Sequence, residues 1–498
     1  MSNPSEGYKD KINAAFARHP ELALVGAVAD RLGLECYVVG GFVRDIFLGR
    51  RSTDIDFVAV GSGIELARAV ARELGRKAHL SVFKSYGTAQ VTLRSRGLEL
   101  EFVGARRESY RRDSRNPIVE DGTLADDIAR RDFTVNAMAV CVNADRLGEL
   151  VDLYDGLADL DAGIIRTPLD PDITFSDDPL RMMRAVRFAT RFDFTILPAT
   201  LEAIKRNADR IDIIARERIA TELMKMMESD RPSQGWRILA RTGLLKHILP
   251  ELDAMRGVST VNGRGHKDNF LHTMEVLDNV ASRTDNVWLR WGALLHDIAK
   301  PVTRRWDDKL GWTFHNHNFI GAKMVPRIFR NLRLPQGEPA KYVAKLVELH
   351  MRPIALVEDE VTDSAVRRLV HEAGDELEDL MLLCRADITS KNAEKVRRLL
   401  ENFDHVRAKM EELEARDHIR NYQPPVDGNE IMTVFGLGQC REVGIIKNAI
   451  KDAILDGRVA NDHDAAFQFM LPIAESLGLT PLANQSASHA TDTENALS

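Results

Sequence analysis

Strand-forming runs are confined to the first third of this 498-residue chain, and that asymmetry limits its folds more than any other feature. Between Glu35 and Val142 short β-branched runs recur, at Tyr37-Val38-Val39, Ile55 to Val60, Ala89 to Leu93 and Leu98 to Val103. Gly-rich or charged turns separate them, as expected of strands. From about Asp161 onward helical periodicity takes over. Residues 8–34 read as a helical lead-in, with Gly33 as its stop. The chain therefore reads as α+β: a lead-in over 1–34, a mixed region over 35–155, helical segments over 156–260, 261–405 and 406–482, and a small polar tail over 483–498 with too little apolar surface to fold.

Composition excludes some classes. Hydrophobic residues are 44% and charged residues 29% of the chain, ordinary for a globular protein. The formal net charge of −7 argues against a histone-like protein that binds nucleic acid by bulk charge. A local basic groove remains compatible with that total, because a field depends on where charges sit. Cys36, Cys141, Cys384 and Cys440 are far apart and form no C-x-x-C pair, which points to a reducing compartment. The stretch Met1 to Lys11 lacks the apolar core of a signal peptide, and no apolar run reaches the ~18 residues of a membrane span. A cytoplasmic protein with no membrane partner is expected.

The segment from Val38 to Val60 reads V-V-G-G-F-V-R-D-I-F-L-G-R-R-S-T-D-I-D-F-V-A-V. Gly40-Gly41 closes a strand and opens a helix carrying Arg44. Paired glycines there let backbone N–H groups approach phosphate oxygens. Asp54 and Asp56 begin the next strand, and a period of two puts both carboxylates on one face. Such a pair suits Mg²⁺ with substrate phosphates, and two ions would activate an attacking hydroxyl and stabilise a leaving pyrophosphate. Acidic pairs at this spacing arise often by chance among 75 acidic residues; the preceding phosphate-type turn singles this one out. Glu99 and Glu101 offer a third carboxylate on one strand face. Arg130-Arg131-Asp132-Phe133-Thr134-x-Asn136 adds arginines that can clamp a triphosphate and Asp or Asn groups for ribose hydroxyls. An isolated R-R-D would be a solvated surface, but this one precedes an apolar run.

Asp178 and Arg181 are three residues apart at the start of a helix and share a face. Cytosine and adenine both present an exocyclic amine beside a ring-nitrogen acceptor, so an Asp acceptor next to an Arg donor suits C and A and mismatches U and G. Arg181, Arg184, Arg187 and Arg191 form a stripe with no acid between Asp178 and Asp193, a candidate RNA-facing groove.

These motifs, in this order and spacing, resemble the class II tRNA nucleotidyltransferases, which comprise the CCA-adding enzymes and related bacterial poly(A) polymerases. The resemblance covers roughly residues 30–250. It implies a polymerase-β-like nucleotidyltransferase palm followed by an all-α neck, with Asp54 and Asp56 holding Mg²⁺ and Glu101 as third catalytic carboxylate. It further implies that Gly40, Gly41 and Arg44 bind triphosphate, with Arg131, Asp132 and Asn136 beside the nucleotide. Asp178 with Arg181 would form a protein template, flanked by Arg184 and Arg187. The family usually has Glu-Asp before the template arginine, where this chain has Asp177-Asp178. Arg216-Glu217-Arg218-Ile219 with Glu222 is similar to the family's neck motif.

Further on, His296-Asp297 lies in the apolar run Ala293 to Pro301, where a buried charged dipeptide needs a metal or a partner. His272 sits on a preceding helix and Asp387 on a later one. Imidazole plus carboxylate ligation suits a transition metal such as Ni, Mn, Fe or Zn. His317 and His350 could complete a second metal position. The set resembles an HD-domain phosphohydrolase over about residues 265–400, with Lys300 at the family's lysine, and implies a helical HD-type body.

The leading expectation is template-independent addition of C, C and A from CTP and ATP to the tRNA 3′ end. The alternatives are a poly(A) polymerase, a partial CC- or A-adding enzyme, and an HD phosphohydrolase with an RNA-binding head. Tyr110 to Asp127 resembles the loop that complete enzymes use to switch from C to A, with Arg111, Arg112 and Asp113 favouring full activity. Oligomeric state is not encoded in any of these features.

Overall fold

Seven strands build one sheet near the N-terminus, and its register decides where the carboxylates fall. The computed structural model describes residues 4–111, 114–261, 264–265, 267–358, 362–390, 392–417 and 424–482. The chain divides into two compact units, Met1–Ala254 with Asn331–Leu334, and Met255–Arg330 with Pro335–Ser498.

The first unit opens on two helices, α1 (Pro4–Arg18) and α2 (Glu21–Leu32). The expected single lead-in is broken at His19-Pro20, because proline removes a backbone donor. Gly33 ends α2 in the left-handed region at φ 68°. Strands β1 (Cys36–Val39), β2 (Asp54–Ala59), β3 (His79–Phe83), β4 (Thr88–Leu93) and β5 (Leu98–Gly104) follow, with α3 (Gly41–Phe47) after β1 and α4 (Gly63–Leu74) after β2. Among the described residues β6 (Arg106–Arg111) and β7 (Ser114–Asp121) form a sheet of their own, then α5 (Leu124–Ala129) leads to β8 (Met138–Cys141) and β9 (Leu150–Asp152). The sheet order is β3-β4-β5-β2-β1-β8-β9, and β2 with β5 is its parallel pair.

β2 and β5 alternate as half-buried strands should. Ile55, Phe57, Leu98, Leu100 and Phe102 are buried, with Phe57 stacked on Phe102 at a centroid distance of 5.0 Å. Leu66, Ala67 and Val70 of α4 are buried as well. The acids take the opposite face, with Asp54 in register with Glu99 and Asp56 with Glu101.

Beyond the sheet the first unit is helical: α6 (Gly156–Ala162), α7 (Pro171–Asp177), α8 (Leu180–Phe192), and later helices including Arg216–Met227. The fold is α+β, a seven-stranded sheet with its helices followed by a mostly helical region, and the second unit is mostly helical. After Asp161 helices dominate as expected, and the strands that remain are two or three residues long. Short pairs form at Ile164–Ile165 with Thr195–Ile196 and at Arg305–Asp307 with Gly311–Thr313, each too brief to give a periodic signature. Among the described residues no helix is long and apolar enough to cross a membrane. Arg112, Asp113, Lys391 and the tail 483–498 lie outside the described residues.

Candidate active site and metal centre

β1 ends one residue before Gly40, and Val39 lies opposite Asp56 across the β1–β2 ladder. Gly40 has φ 72°, and a Cβ there would lie 2.8 Å from Nη1 of Arg131 and 3.6 Å from Oδ2 of Asp56. Glycine is therefore required twice over, by backbone conformation and by the guanidinium that fills the space. The turn brings Gly40, Gly41, Arg44, Asp54, Asp56, Arg131, Asp132, Asn136, Arg184 and Arg187 to the lining of one cavity of about 460 Å³.

The carboxylates repel one another. Burial raises the Asp56 carboxyl, and Asp54 and Asp127 add to the rise while Arg131 opposes it. Burial and the charge of Asp56 likewise raise Glu101, against Arg106. An all-oxygen donor set whose charges are mutually unfavourable fits a hard divalent cation. Asp54, Asp56 and Glu101 are the residues that would hold it.

Opposite the acids runs a chain of fixed polar groups. Nη1 of Arg44 donates to Oδ1 of Asn136 at 2.7 Å, Nδ2 of Asn136 donates to Oδ1 of Asp132 at 3.1 Å, and Nε of Arg184 donates to Oδ2 of Asp132 at 2.7 Å. Burial would raise the Asp132 carboxyl, but Arg184 and Asn136 outweigh it and hold it at about 2. Arg44 is also held by Asp45 at 2.8 Å and lies over the Phe192 ring at 4.7 Å. Nε of Arg131 is buried without a hydrogen-bond partner, an unsatisfied donor in a residue that lines the cavity.

Sequence reasoning missed Asp127. Its fully buried carboxylate binds Arg130 at 2.5 Å and Arg131 at 2.9 Å, so one acid aims both arginines of the R-R-D motif. The capping box of Thr123 with Asp126, which starts α5, was the one local signal for its place. Phe188, Phe192, Arg50 and Arg51 also line the cavity.

The arginine stripe differs from expectation. Arg187 is buried against Glu222 at 2.5 Å, Arg184 is taken by Asp132, and Nη2 of Arg181 donates to the carbonyl of Arg130 at 2.8 Å. Arg184, Arg187 and Arg191 of the stripe thus form a wall of the cavity, and the stripe is not an open row of four free charges. Asp178 and Arg181 are not brought into the cavity lining. Asp178 caps the N–H of Leu180 at 3.1 Å and faces Arg218 at 3.2 Å.

In the second unit all six expected ligands converge. His272 belongs to helix Asn269–Ala281, His296-Asp297 follows Val287–Leu295, His317 opens His317–Leu332, His350 follows Glu338–Leu349, and Asp387 ends Leu377–Asp387. His272, His296 and Asp297 form one buried cluster, and Asp297, His317 and His350 a second. Asp297 is shared. Its Oδ2 lies 3.2 Å from Nε2 of His296 and 3.7 Å from Nε2 of His272, while its Oδ1 lies 3.4 Å from Nε2 of His317 and 3.9 Å from Nε2 of His350. Asp387 approaches His272 at 2.8 Å.

Each outer ring nitrogen has its own partner. Nδ1 of His296, His317 and His350 faces the carbonyls of Ala293, Phe314 and Val347 at 2.8, 2.8 and 2.7 Å, and Nδ1 of His272 faces Oγ1 of Thr389 at 3.0 Å. The carbonyl acceptors turn Nε2 of His296, His317 and His350 inward as available ligands. Nε2 of His296 is buried without a hydrogen-bond partner. Burial and the neighbouring His296 lower His350 to about 4, leaving it a neutral donor. Burial disfavours the cationic form of His296, but Asp297 and Asp387 outweigh it and push it up to about 9. The set fits divalent metals of the imidazole-binding kind.

Comparison with known proteins follows the same division. The Poly A polymerase head domain matches residues 36–166, the Probable RNA and SrmB- binding site of polymerase A matches 193–256, and the HD domain matches 269–392. The A-adding tRNA nucleotidyltransferase of Deinococcus radiodurans is 33% identical over 438 residues, covering 86% of this chain and 93% of that protein. The Multifunctional CCA protein of Nitrosomonas europaea is 33% identical over 327 residues, covering 64% and 73%. A solved apo CCA-adding enzyme shares the fold with a TM-score of 0.60 at 24% identity, covering 91% of this chain and 94% of its own. With its HD domain, this chain belongs to the tRNA nucleotidyltransferase family of CCA-adding and poly(A)-polymerase-like enzymes and is a nucleotidyltransferase.

Proposed function

We propose that the chain adds C, C and A from CTP and ATP to the 3′ end of tRNA, without a nucleic-acid template, in the cytoplasm. One observation carries this reading: a single cavity joins the Gly40-Gly41 turn, the Asp54/Asp56 pair and the Arg44–Asn136–Asp132–Arg184 chain. Gly40, Gly41, Arg44 and Arg131 receive the triphosphate and Asp132 and Asn136 face the sugar; Asp178 and Arg181, at the α7–α8 junction outside the cavity lining, read the base edge once released from Arg218 and from the Arg130 carbonyl. Asp54, Asp56 and Glu101 hold Mg²⁺. Two such ions supply activation of the RNA 3′-hydroxyl and stabilisation of the leaving pyrophosphate. The protein's own groups orient the α-phosphate and place positive charge where the transition state gathers negative charge. In this reading residues 35–155 are the palm, 156–260 the neck, 261–405 the HD domain and 406–482 a helical tail.

The test is incorporation of each labelled nucleotide by the purified chain into tRNA lacking its terminal triplet and into tRNA ending in CC. Addition of C, C and A to the first substrate is expected, and no use of CTP sinks the reading. A second reading, addition of A alone, is favoured by the likeness to an A-adding enzyme and predicts activity on the CC-ending substrate only.

The HD cluster adds a second activity to the proposal, metal-dependent phosphoester hydrolysis with Ni, Mn, Fe or Zn at His272, His296, Asp297 and Asp387 and a second ion at His317 and His350. The support is Asp297, which shows one oxygen to each histidine cluster. Hydrolysis of a chromogenic phosphodiester that survives Asp54→Ala with Asp56→Ala and disappears with His296→Ala is the expected pattern.

A further inference from the structure

Behind the segment Arg50 to Thr53, which leads into Asp54, lies a second cavity of about 250 Å³. Phe42 and Arg50 to Thr53 belong to its lining and to that of the nucleotide cavity. Other walls come from Arg18 and His19 at the break between α1 and α2, and from Arg96 just before β5. Asp54 and Asp56 are absent from this lining, so the cavity is a place for a bound ligand and not for a reacting one.

Its charge is one-sided. Four arginines and a histidine line it and, among the described residues, no carboxylate does. Arg96 is bound by Glu21, which stands outside the lining, and by the carbonyl of Arg18. The other three guanidinium groups have no carboxylate partner among the described residues. Arg18 donates to the Ala14 carbonyl, Arg50 lies over the Phe192 ring at 4.7 Å, and the Arg51 side chain makes no hydrogen bond to them. Like charges gathered at one cavity repel until an anion joins them.

Nδ1 of His19 is buried without a hydrogen-bond partner. Burial lowers the His19 pKa, with Arg96 and Arg18 adding to the fall and Glu21 opposing it, so the ring is neutral and Nδ1 can carry the hydrogen. A buried polar atom left unpaired calls for a partner, and this one belongs to the same lining as the free guanidinium groups. Guanidinium and ring N–H donors together suit an oxyanion. The volume lies below the ~300–1,000 Å³ of pockets that enclose a drug-sized ligand, which restricts the occupant to a small ion.

We propose that this cavity is a regulatory site for a small phosphate-type oxyanion, held by Arg18, Arg51 and His19, and that its occupation weakens nucleotide binding in the adjoining cavity. Arg50 and Arg51 belong to both linings, so an anion on one side draws their charge away from a triphosphate on the other. Two anions across a shared wall also repel each other. The coupling is reciprocal, and nucleotide weakens the anion by the same factor. Orthophosphate and the pyrophosphate released by nucleotidyl transfer share this chemistry, and the test separates the two sources.

The test follows incorporation of labelled ATP by the full chain at saturating tRNA ending in CC, with orthophosphate varied at constant ionic strength. KM for ATP should rise about fivefold and then level off, at the lower end of couplings between distinct sites. A rise without limit would place orthophosphate inside the nucleotide cavity, and no rise would leave the arginines without an anion; either result overturns the proposal. Arg18→Ala should keep the phosphate-free KM and lose the response, and Arg18→Lys should keep part of it. An undiminished response in Arg18→Ala overturns the assignment. A second arm replaces orthophosphate by methylenediphosphonate, an uncleavable analogue of pyrophosphate, and the anion that reaches its plateau at the lower concentration is the natural occupant.

Calorimetry on the wild-type chain needs neither a variant nor turnover. Orthophosphate should still bind when a non-hydrolysable ATP analogue saturates the chain, about fivefold more weakly than without it, as reciprocity requires. Binding abolished by the analogue overturns the proposal, and so does binding that the analogue leaves unchanged. Failure of the chain to extend any tRNA in the absence of phosphate strikes the functional reading instead, and the calorimetric result then decides the cavity alone.

Discussion

The two candidate sites solve opposite versions of one problem, gathering carboxylates where they repel. In the palm, Asp54, Asp56 and Glu101 stand on one strand face, and burial together with neighbouring acids raises Asp56 and Glu101. In the HD body, Asp297 is buried and Asp387 half-buried, and histidines around them, with Lys300 at 2.6 Å from Asp297, hold both carboxyls well down against the cost of desolvation. The first arrangement leaves its charge to be met by a cation arriving with a phosphate substrate. The second carries nitrogen ligands of its own, as a resident transition metal requires. Donor type, rather than the number of acids, separates the two sites.

The strongest way to break this contrast is to remove one acid pair and watch both activities. Asp54→Ala with Asp56→Ala should lower nucleotide incorporation by at least about 10³-fold, since metal-borne charge stabilisation contributes several kcal/mol. Metal content at the HD site, read by elemental analysis, should not change. Loss of HD metal in that variant would show that the two sites are not independent. The reciprocal variant, Asp297→Ala, should empty the HD site of both ions because it removes the shared ligand, while incorporation persists.

A second effect sharpens the role of the wall behind the nucleotide. Arg187 and Glu222 are buried together, and Glu222→Ala strands the guanidinium without a partner. Destabilisation of about 3–5 kcal/mol is expected in chemical denaturation. A loss below about 1 kcal/mol would mean that Arg187 turns into the cavity and acts as a free phosphate ligand after all. Asp127→Ala should act differently, because Arg131 lines the cavity and keeps access to it. Here KM for the nucleotide should rise more than stability falls, measured by incorporation kinetics beside thermal unfolding.

Much of this contrast was legible before any coordinates. The alternation of Asp54, Asp56, Glu99 and Glu101 with Ile55, Phe57, Leu98 and Leu100 is a local property of pleated strands, so one face could be read directly. The apolar run around His296-Asp297 likewise marked a buried charge. Partners distant in sequence were not legible. Nothing near Arg187 announces Glu222, and nothing near Arg44 announces Asn136, 92 residues away. The stripe of four arginines therefore read as an open groove, although three of its members are claimed by a carboxylate or a carbonyl once the helices pack. Asp127 was hidden for the same reason: its meaning lies in which guanidinium groups turn back toward it.

The smallest effect tests the HD side of the comparison most finely. Nδ1 of His272 faces Oγ1 of Thr389 and the ammonium of Lys267 at 2.9 Å, whereas the other three histidines use backbone carbonyls. A carbonyl fixes the tautomer permanently, while a side chain can be replaced. Thr389→Val keeps the volume and removes the hydroxyl, so His272 should lose its orientation and the first metal position should weaken by about tenfold. The second position, built on His317 and His350, should hold its ion unchanged. Metal titration followed by calorimetry resolves the two steps, and equal weakening of both would mean that the clusters behave as one site joined through Asp297 rather than as two.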